Sequence, residues 1–124
     1  MRNLFYIAIL TFSVNSFAQV KKCNDFKNGT FKYAHKDYGE LVTVRMDTLQ
    51  TDSYPISGDQ TKSRIKWLSG CKYEMEFIEV NKSYLQSLIG VKYTVEIIRI
   101  NGKKITCRTN NKGEIIETEM IKVD

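Results

Sequence analysis

Residues 71–81, CKYEMEFIEVN, and residues 91–101, VKYTVEIIRIN, carry most of the information about the fold of this chain. Both stretches alternate apolar and polar residues, which is the period expected of antiparallel strands with water on one side. Each then places two apolar residues side by side, Phe77-Ile78 and Ile97-Ile98, and the alternation changes phase there. An extra residue of this kind predicts a β-bulge, and bulges bend a sheet as barrels and sandwiches require.

The same alternation continues on both sides of these two stretches, in shorter runs at 31–33, 42–46, 65–67, 105–109 and 116–120. In the run at 42–46 it predicts that Val44 and Met46 face the core. Asn101-Gly102 is the strongest hairpin signal between runs, because both residues tolerate positive φ. A turn centred there predicts Ile98 opposite Ile105, and the extra residue at 97–98 then brings Val95 opposite Cys107, with both facing the core.

We therefore predict an all-β fold, an antiparallel meander of six or seven strands that closes into a small lipocalin-like barrel or a sandwich, with one short helix. The helix is predicted within 81–90, where Tyr84, Leu85, Leu88 and Ile89 recur at helical spacing. Its apolar stripe is expected to close an end of the barrel or to cover an edge, and a lid over a ligand is the alternative.

The first 18 residues have the pattern of a secretory signal peptide. Arg2 precedes an uncharged apolar stretch at 4–12, and Ser16-Phe17-Ala18 supplies small residues for cleavage after Ala18. The apolar stretch is too short for a stable membrane anchor. We predict that residues 19–124 form one β domain that is exported, to the periplasm or to the extracellular space.

Three cysteines, Cys23, Cys71 and Cys107, bear on the same prediction. Export to an oxidising compartment permits a disulfide, and the odd number leaves one thiol over. Cys23 precedes the regular pattern, so a Cys23–Cys71 bond would tie an N-terminal arm to the sheet. Cys107 has an apolar phase within a strand, which favours a free and buried thiol. A Cys71–Cys107 bond is the alternative.

Charge and composition argue against several function classes. The chain has 19 Lys and Arg against 14 Asp and Glu, a net charge of +5, but the two signs are interleaved rather than clustered. A nucleic-acid partner is therefore not expected. The single histidine, His35, has no further His or Cys at metal-ligand spacing. Phosphate-binding loops and nucleophile motifs do not appear in the sequence, so we predict neither an enzyme nor a cofactor nor a metal site.

The segments Cys23–Phe31 (CNDFKNGTF) and Lys66–Tyr73 (KWLSGCKY) resemble a family of small exported bacterial proteins of unknown function. Some members of that family carry an automatic label as a DNA topoisomerase IV subunit, an activity for which this chain is far too short. The resemblance covers most of residues 19–124 and implies an exported, strand-rich domain. The chain is also similar to lipocalin-like barrels at the level of the fold.

These observations favour a non-enzymatic binder of a small apolar or amphipathic ligand. The residues predicted to line its interior share an aromatic or large apolar side chain on the buried face: Phe31, Tyr33, Trp67, Tyr73, Met75, Phe77, Tyr93 and Val95. The alternative is a protein-binding module, such as a periplasmic enzyme inhibitor or a partner of an envelope protein. It would act through the segment Asp47–Gln60, which is predicted as a loop.

Overall fold

A computed structural model of the protein describes residues 22–124, and the signal-peptide prediction for residues 1–18 lies outside them. Eight antiparallel strands follow one another along the chain and around a closed barrel. They are β1 Gly29–Tyr33, β2 Val42–Met46, β3 Leu49–Tyr54, β4 Asp59–Ser69, β5 Lys72–Val80, β6 Lys92–Asn101, β7 Lys104–Asn111 and β8 Glu114–Lys122. Two 3-10 helices, Lys36–Tyr38 and Ser83–Leu88, lie between strands, and residues 22–24 are helical.

The barrel closes between its first and last strands, where Phe31 of β1 pairs with Lys122 of β8 and Tyr33 pairs with Met120. The predicted all-β antiparallel meander is therefore confirmed. The predicted number of strands, six or seven, was too low, because β3 lies within the segment 47–60 that was predicted as a loop. This strand carries mainly polar residues on both faces, so it lacks the apolar alternation that identified the others.

The orientation predicted for β2 was also wrong. Val44 and Met46 are exposed on the outside of the barrel, whereas Thr43 and Arg45 are buried inside it. Thr43 and Arg45 both find hydrogen-bond partners in the interior. A polar interior face is stable when its groups are paired in this way, so hydrophobic alternation alone pointed to the opposite face.

Both predicted bulges are present. Lys62 pairs with Glu79 and Ser63 with Phe77, which leaves Ile78 as the extra residue of β5. Ile98 is the extra residue of β6 in the pairing with β7. The register predicted for the following hairpin was wrong, because the turn occupies residues 102–103. It places Ile100 rather than Ile98 opposite Ile105, and Ile97 rather than Val95 opposite Cys107.

The N-terminal segment 22–28 packs against one end of the barrel. Cys23 and Phe26 are almost fully buried there, and Cys23 forms a disulfide with Cys71, as predicted. Cys107 is free and buried, also as predicted. The Phe26 ring lies 6.5 Å from the Phe31 ring between centroids. This end of the barrel is therefore filled by side chains and fixed by a covalent bond.

The short helix predicted within 81–90 is present as the 3-10 helix Ser83–Leu88, which lies beside β5. The backbone amide of Gly90 donates to the carbonyl of Phe77 at 2.8 Å and attaches the end of this segment to the strand. Asn81 attaches the start of the same segment to the turn between β3 and β4. Its side chain accepts from the backbone amide of Gln60 and donates to the carbonyl of Gly58. Within residues 22–124, no helix has the length and apolar character needed to cross a membrane.

Candidate functional site

A cavity of about 450 Å³ occupies the interior of the barrel. Seven of the strands, all except β2, contribute side chains to it, together with Leu41 just before β2 and Leu85 and Leu88 of the 83–88 helix. This volume falls within the range of small-molecule sites, about 300–1,000 Å³. The barrel is therefore hollow at one end and filled at the other.

Six of the eight residues predicted to line the interior surround this cavity: Tyr33, Tyr73, Met75, Phe77, Tyr93 and Val95. Phe77 and Tyr93, from neighbouring strands, meet edge to face with their ring centroids 5.7 Å apart. These two residues and Met75, Val95 and Tyr73 share one side of the barrel, because β5 and β6 are paired. The alternation of apolar and polar residues in the sequence was sufficient to predict this group.

The remaining two predicted residues, Phe31 and Trp67, lie outside the cavity. Phe31 is fully buried in the filled end of the barrel. Trp67 is half-buried, and its ring centroid lies 4.8 Å from that of Tyr73. The Nζ atom of Lys27 lies over the Trp67 ring, 4.8 Å from its centroid. Both face inwards as predicted, but they lie at the level occupied by the N-terminal segment.

The cavity residues that were not predicted from the sequence are mostly polar. They lie on strands β3, β4, β7 and β8, in the 83–88 helix and just before β2: Gln50, Asp52, Tyr54, Asp59, Thr61, Leu85, Leu88, Thr109, Thr118, Leu41, Cys107 and Met120. Gln50, Asp52 and Tyr54 alternate along β3 and face the same side. This alternation can be read in the sequence, but the residues that face inwards are polar, so a search for alternating apolar residues does not detect it.

The barrel interior has a polar wall, formed by β2, β3 and β4. Five of the six buried polar residues described belong to these three strands: Thr43, Arg45, Gln50, Thr61 and Ser63. The facing strands β5 to β8 instead bury apolar residues, among them Met75, Val95, Ile105 and Met120. The cavity therefore lies between a polar wall and an apolar wall, which gives it an amphipathic lining.

Arg45 organises the base of the polar wall. Its Nη1 atom donates to Gln50 Oε1 and to the Tyr73 hydroxyl, both at 2.8 Å, and its Nη2 atom donates to the Phe26 carbonyl at 3.0 Å. The guanidinium also lies 4.8 Å from the Phe31 ring centroid and 4.9 Å from that of Tyr73. Stacking on two aromatic faces stabilises a buried cation. Among the described residues, Arg45 Nε has no hydrogen-bond partner.

Asp52 is the residue of the polar wall that follows Arg45 and Gln50 towards the cavity, which it lines. Its Oδ1 atom accepts from Thr43 Oγ1 at 2.5 Å, and both carboxylate oxygens accept from Gln50 Nε2 at 3.2–3.3 Å. Burial raises the pKa of this carboxyl, although the bonds from Thr43 and Gln50 and the charge of Arg45 act in the opposite direction. Asp52 lines the cavity, and among the described residues its Oδ2 atom accepts from Gln50 alone.

Burial also shifts Tyr73, Cys107 and Tyr33, which line the cavity, towards their neutral forms. It raises the pKa of the Tyr73 hydroxyl to about 12, against the charge of Arg45. It raises the pKa of the Cys107 thiol to about 11. The pKa of Tyr33 is raised as well, by burial first and then by the charge of Asp52. These groups are uncharged hydrogen-bonding or apolar surface at neutral pH.

The open end of the cavity is bordered by the 83–88 helix and by the start of β4. Leu85 and Leu88 face the cavity, while Tyr84 is exposed and its hydroxyl donates to Asp59 Oδ1. His35 lies elsewhere and is exposed, with its Nδ1 atom accepting from the Asp37 amide at 3.2 Å. Within residues 22–124, no group of three or more His, Cys, Asp or Glu side chains is arranged to hold a metal ion.

Comparisons with known proteins returned no relative: no family model, no curated protein and no solved structure matches the chain.

Proposed function

We propose that this protein is an exported, non-enzymatic binding protein that takes a small amphipathic molecule into its barrel. One observation carries the proposal, namely the cavity of about 450 Å³ between a polar wall and an apolar wall. A barrel of this size does not need a cavity in order to be stable, because side chains can fill its interior at native packing density. An apolar ligand body would contact Met75, Phe77 and Val95, and its polar group would face β3 and β4.

The cavity favours a small ligand over the alternative of a protein-binding module. That alternative depended on a loop at 47–60, but these residues include strand β3, which forms part of the barrel wall. A filled barrel with an exposed aromatic patch would have favoured a protein partner. The hollow interior is instead the expected feature of a small-molecule site.

Export is the second element of the proposal. The Cys23–Cys71 bond supports it, because structural disulfides persist in oxidising compartments and are rare in the cytosol. Expression of the full chain with its own N-terminus, followed by mass measurement of the protein in each cell fraction, tests this element. We expect a chain that begins at Gln19 outside the cytoplasm, and a full-length chain confined to the cytoplasm would contradict it.

Binding can be tested with N-phenyl-1-naphthylamine, a neutral probe whose fluorescence rises in apolar surroundings. We expect the wild-type protein to bind it saturably. Val95→Phe, which enlarges a side chain of the cavity wall, should weaken binding at least about 10-fold, since a blocked site loses apolar contact area. Thr94→Phe adds an aromatic ring at the neighbouring position of β6, outside the cavity lining, and should change the affinity less than about 2-fold.

Two results would contradict the proposed function. The first is the absence of saturable fluorescence with the wild-type protein. The second is equal probe affinity in wild type and in Val95→Phe, with both shown to be folded by circular dichroism, because the probe would then bind outside the barrel.

A further inference from the structure

We propose that the ligand of this cavity carries a cationic amine, which binds against the carboxylates of Asp52 and Asp59. This inference rests on the proposed function and names the chemical class of the ligand.

The charge of the cavity lining favours an amine. Among the described residues, the charged side chains that line the cavity are Asp52 and Asp59, and no lysine, arginine or histidine lines it. The chain as a whole has the opposite character, with 19 basic residues against 14 acidic ones. The cavity thus departs in sign from the rest of the molecule. Carboxylates that face an enclosed apolar space attract a cation and repel an anion.

The charge balance around Asp52 also favours a cation. Arg45 is the buried cation of the polar wall among the described residues, and it reaches Asp52 through Gln50 rather than directly. Burial therefore penalises the ionised form of Asp52 without a directly paired cation to offset it. A ligand ammonium at Asp52 would supply that positive charge, whereas an anionic ligand would add a second negative charge in a site with little water, which is strongly unfavourable.

Hydrogen-bond acceptors at the same wall also favour an amine. Asp52 Oδ2 accepts only from Gln50 Nε2, at 3.2 Å, so the carboxylate can accept a further donor. Tyr54 also lines the cavity, and its pKa is raised by burial first and then by the charges of Asp52, Glu40 and Asp59. An ammonium group has three donors and no acceptor, which matches a wall with available acceptors.

The apolar wall on the opposite side determines the chemistry of the rest of the ligand. Met75, Phe77, Val95 and Leu88 present apolar surface to the cavity. A compact hydrocarbon or aromatic body fits this surface, and the amine then lies a short distance away at β3 and β4. A polyamine with charges at both ends is disfavoured, because its second charge would lie against the apolar wall.

A series of three probes of equal length tests the inference: n-octylamine, 1-octanol and octanoate, titrated calorimetrically into the wild-type protein at pH 7. We expect n-octylamine to bind at least about 10-fold more tightly than 1-octanol, and octanoate to bind most weakly. A charge-assisted hydrogen bond to a carboxylate is worth about 1.5–3 kcal/mol, which corresponds to a factor of this size.

Two variants locate the preference. Asp52→Asn should reduce the advantage of n-octylamine over 1-octanol to less than about 3-fold while leaving the affinity for 1-octanol unchanged, which also shows that the variant is folded. Asp59→Asn retains an acceptor for the Tyr84 hydroxyl and should reduce the same advantage if Asp52→Asn does not fold. Glu79→Gln removes an exposed carboxylate of β5 outside the cavity lining, and it should leave all three affinities unchanged.

The outcomes separate this inference from the proposed function. Binding of 1-octanol or octanoate as tightly as n-octylamine would overturn the amine inference and leave the binding function intact. A preference for n-octylamine that persists in both aspartate variants would also overturn it, because the carboxylates would not be the cause. Failure of all three probes to bind would overturn the proposed function, and the inference with it.

Discussion

Arg45 and Tyr73 are joined by a 2.8 Å hydrogen bond from the guanidinium Nη1 atom to the phenol oxygen, and the ring of Tyr73 lies 4.9 Å from the guanidinium carbon. Arg45 belongs to the polar wall on β2, and Tyr73 belongs to the apolar wall on β5. Their contact connects the two walls directly beneath the cavity. The barrel can therefore remain hollow above this level, because the base of the cavity is fixed by a polar contact rather than by further apolar packing.

Replacement of Arg45 tests the energetic role of this contact. Arg45→Met retains much of the apolar stem but leaves Gln50, the Tyr73 hydroxyl and the Phe26 carbonyl without their donor. We expect the free energy of unfolding to fall by about 3 kcal/mol, as for a buried charged group whose partners are left unpaired. Chemical denaturation with urea measures this change.

Arg64→Met is the matched control for that variant. Arg64 lies on the outside of β4, where it forms an exposed ion pair with Glu76 at 3.4 Å. Its loss should change the free energy of unfolding by less than about 1 kcal/mol. Equal effects of the two substitutions would contradict a structural role for the buried arginine.

The disulfide should contribute a large part of the stability. Cys23 and Cys71 are separated by 48 positions, and the chain-entropy model gives about 4 kcal/mol for a loop of this length. The double substitution Cys23→Ser and Cys71→Ser should lower the free energy of unfolding by up to this amount. A reducing agent should destabilise wild type and Cys107→Ala but not the double variant. Loss of the reductant effect in Cys107→Ala would contradict the assigned pairing, because the bond would then involve Cys107.

The thiol of Cys107 reports on access to the cavity, because Cys107 is part of the cavity lining. Burial raises its pKa to about 11 from a usual value of 9.0, so the thiolate fraction at pH 8 is lowered roughly 100-fold. Methyl methanethiosulfonate should therefore modify the native protein at least this much more slowly than the urea-unfolded protein. Saturation with 1-octanol should slow the native reaction further, and a rate insensitive to 1-octanol would contradict ligand contact with Cys107.

Asp52 should make stability depend on pH in a defined direction. Burial raises its pKa in the folded state above the ordinary value of 3.8, so the folded protein holds this proton more tightly than the unfolded chain does. Stability due to this group is then present below the unfolded pKa and is lost as the pH rises through the folded pKa. Asp52→Asn removes the ionisation and should be more stable than wild type at pH 8.

The same comparison at lower pH completes the test of Asp52. As the pH falls towards 4, wild-type Asp52 becomes protonated, and the difference in urea midpoint between wild type and Asp52→Asn should narrow. Glu79→Gln, at an exposed site, provides the control and should show no such trend. A difference that is constant from pH 4 to pH 8 would mean that the effect of Asp52→Asn is not electrostatic.

The sequence was sufficient to predict the apolar half of the barrel. Met75 and Val95 alternate with charged or polar neighbours over long strands, and the doubled apolar pairs at 77–78 and 97–98 marked the bulges. The disulfide followed from the position of Cys23 ahead of the first strand. In each case a local pattern determined the outcome, because burial on one face imposes a period of two.

The polar half could not be predicted by the same logic. Val44 and Met46 suggested the wrong face for β2, since the sequence does not reveal that Arg45 finds partners at Gln50, Tyr73 and Phe26. These partners come from other parts of the chain and meet only when the barrel closes. The amphipathic character of the cavity depends on those long-range contacts, so it was found only from the structure.

The central claim, that the barrel takes a small molecule into its cavity, is tested most directly by NMR of methionine methyl groups. Met75 and Met120 line the cavity, whereas Met46 is 67% exposed on the outer surface and provides an internal control. Titration with n-octylamine or 1-octanol should shift the methyl signals of Met75 and Met120 saturably and leave that of Met46 in place. Shifts confined to Met46, or no saturable shift at Met75 and Met120 with either probe, would contradict the account.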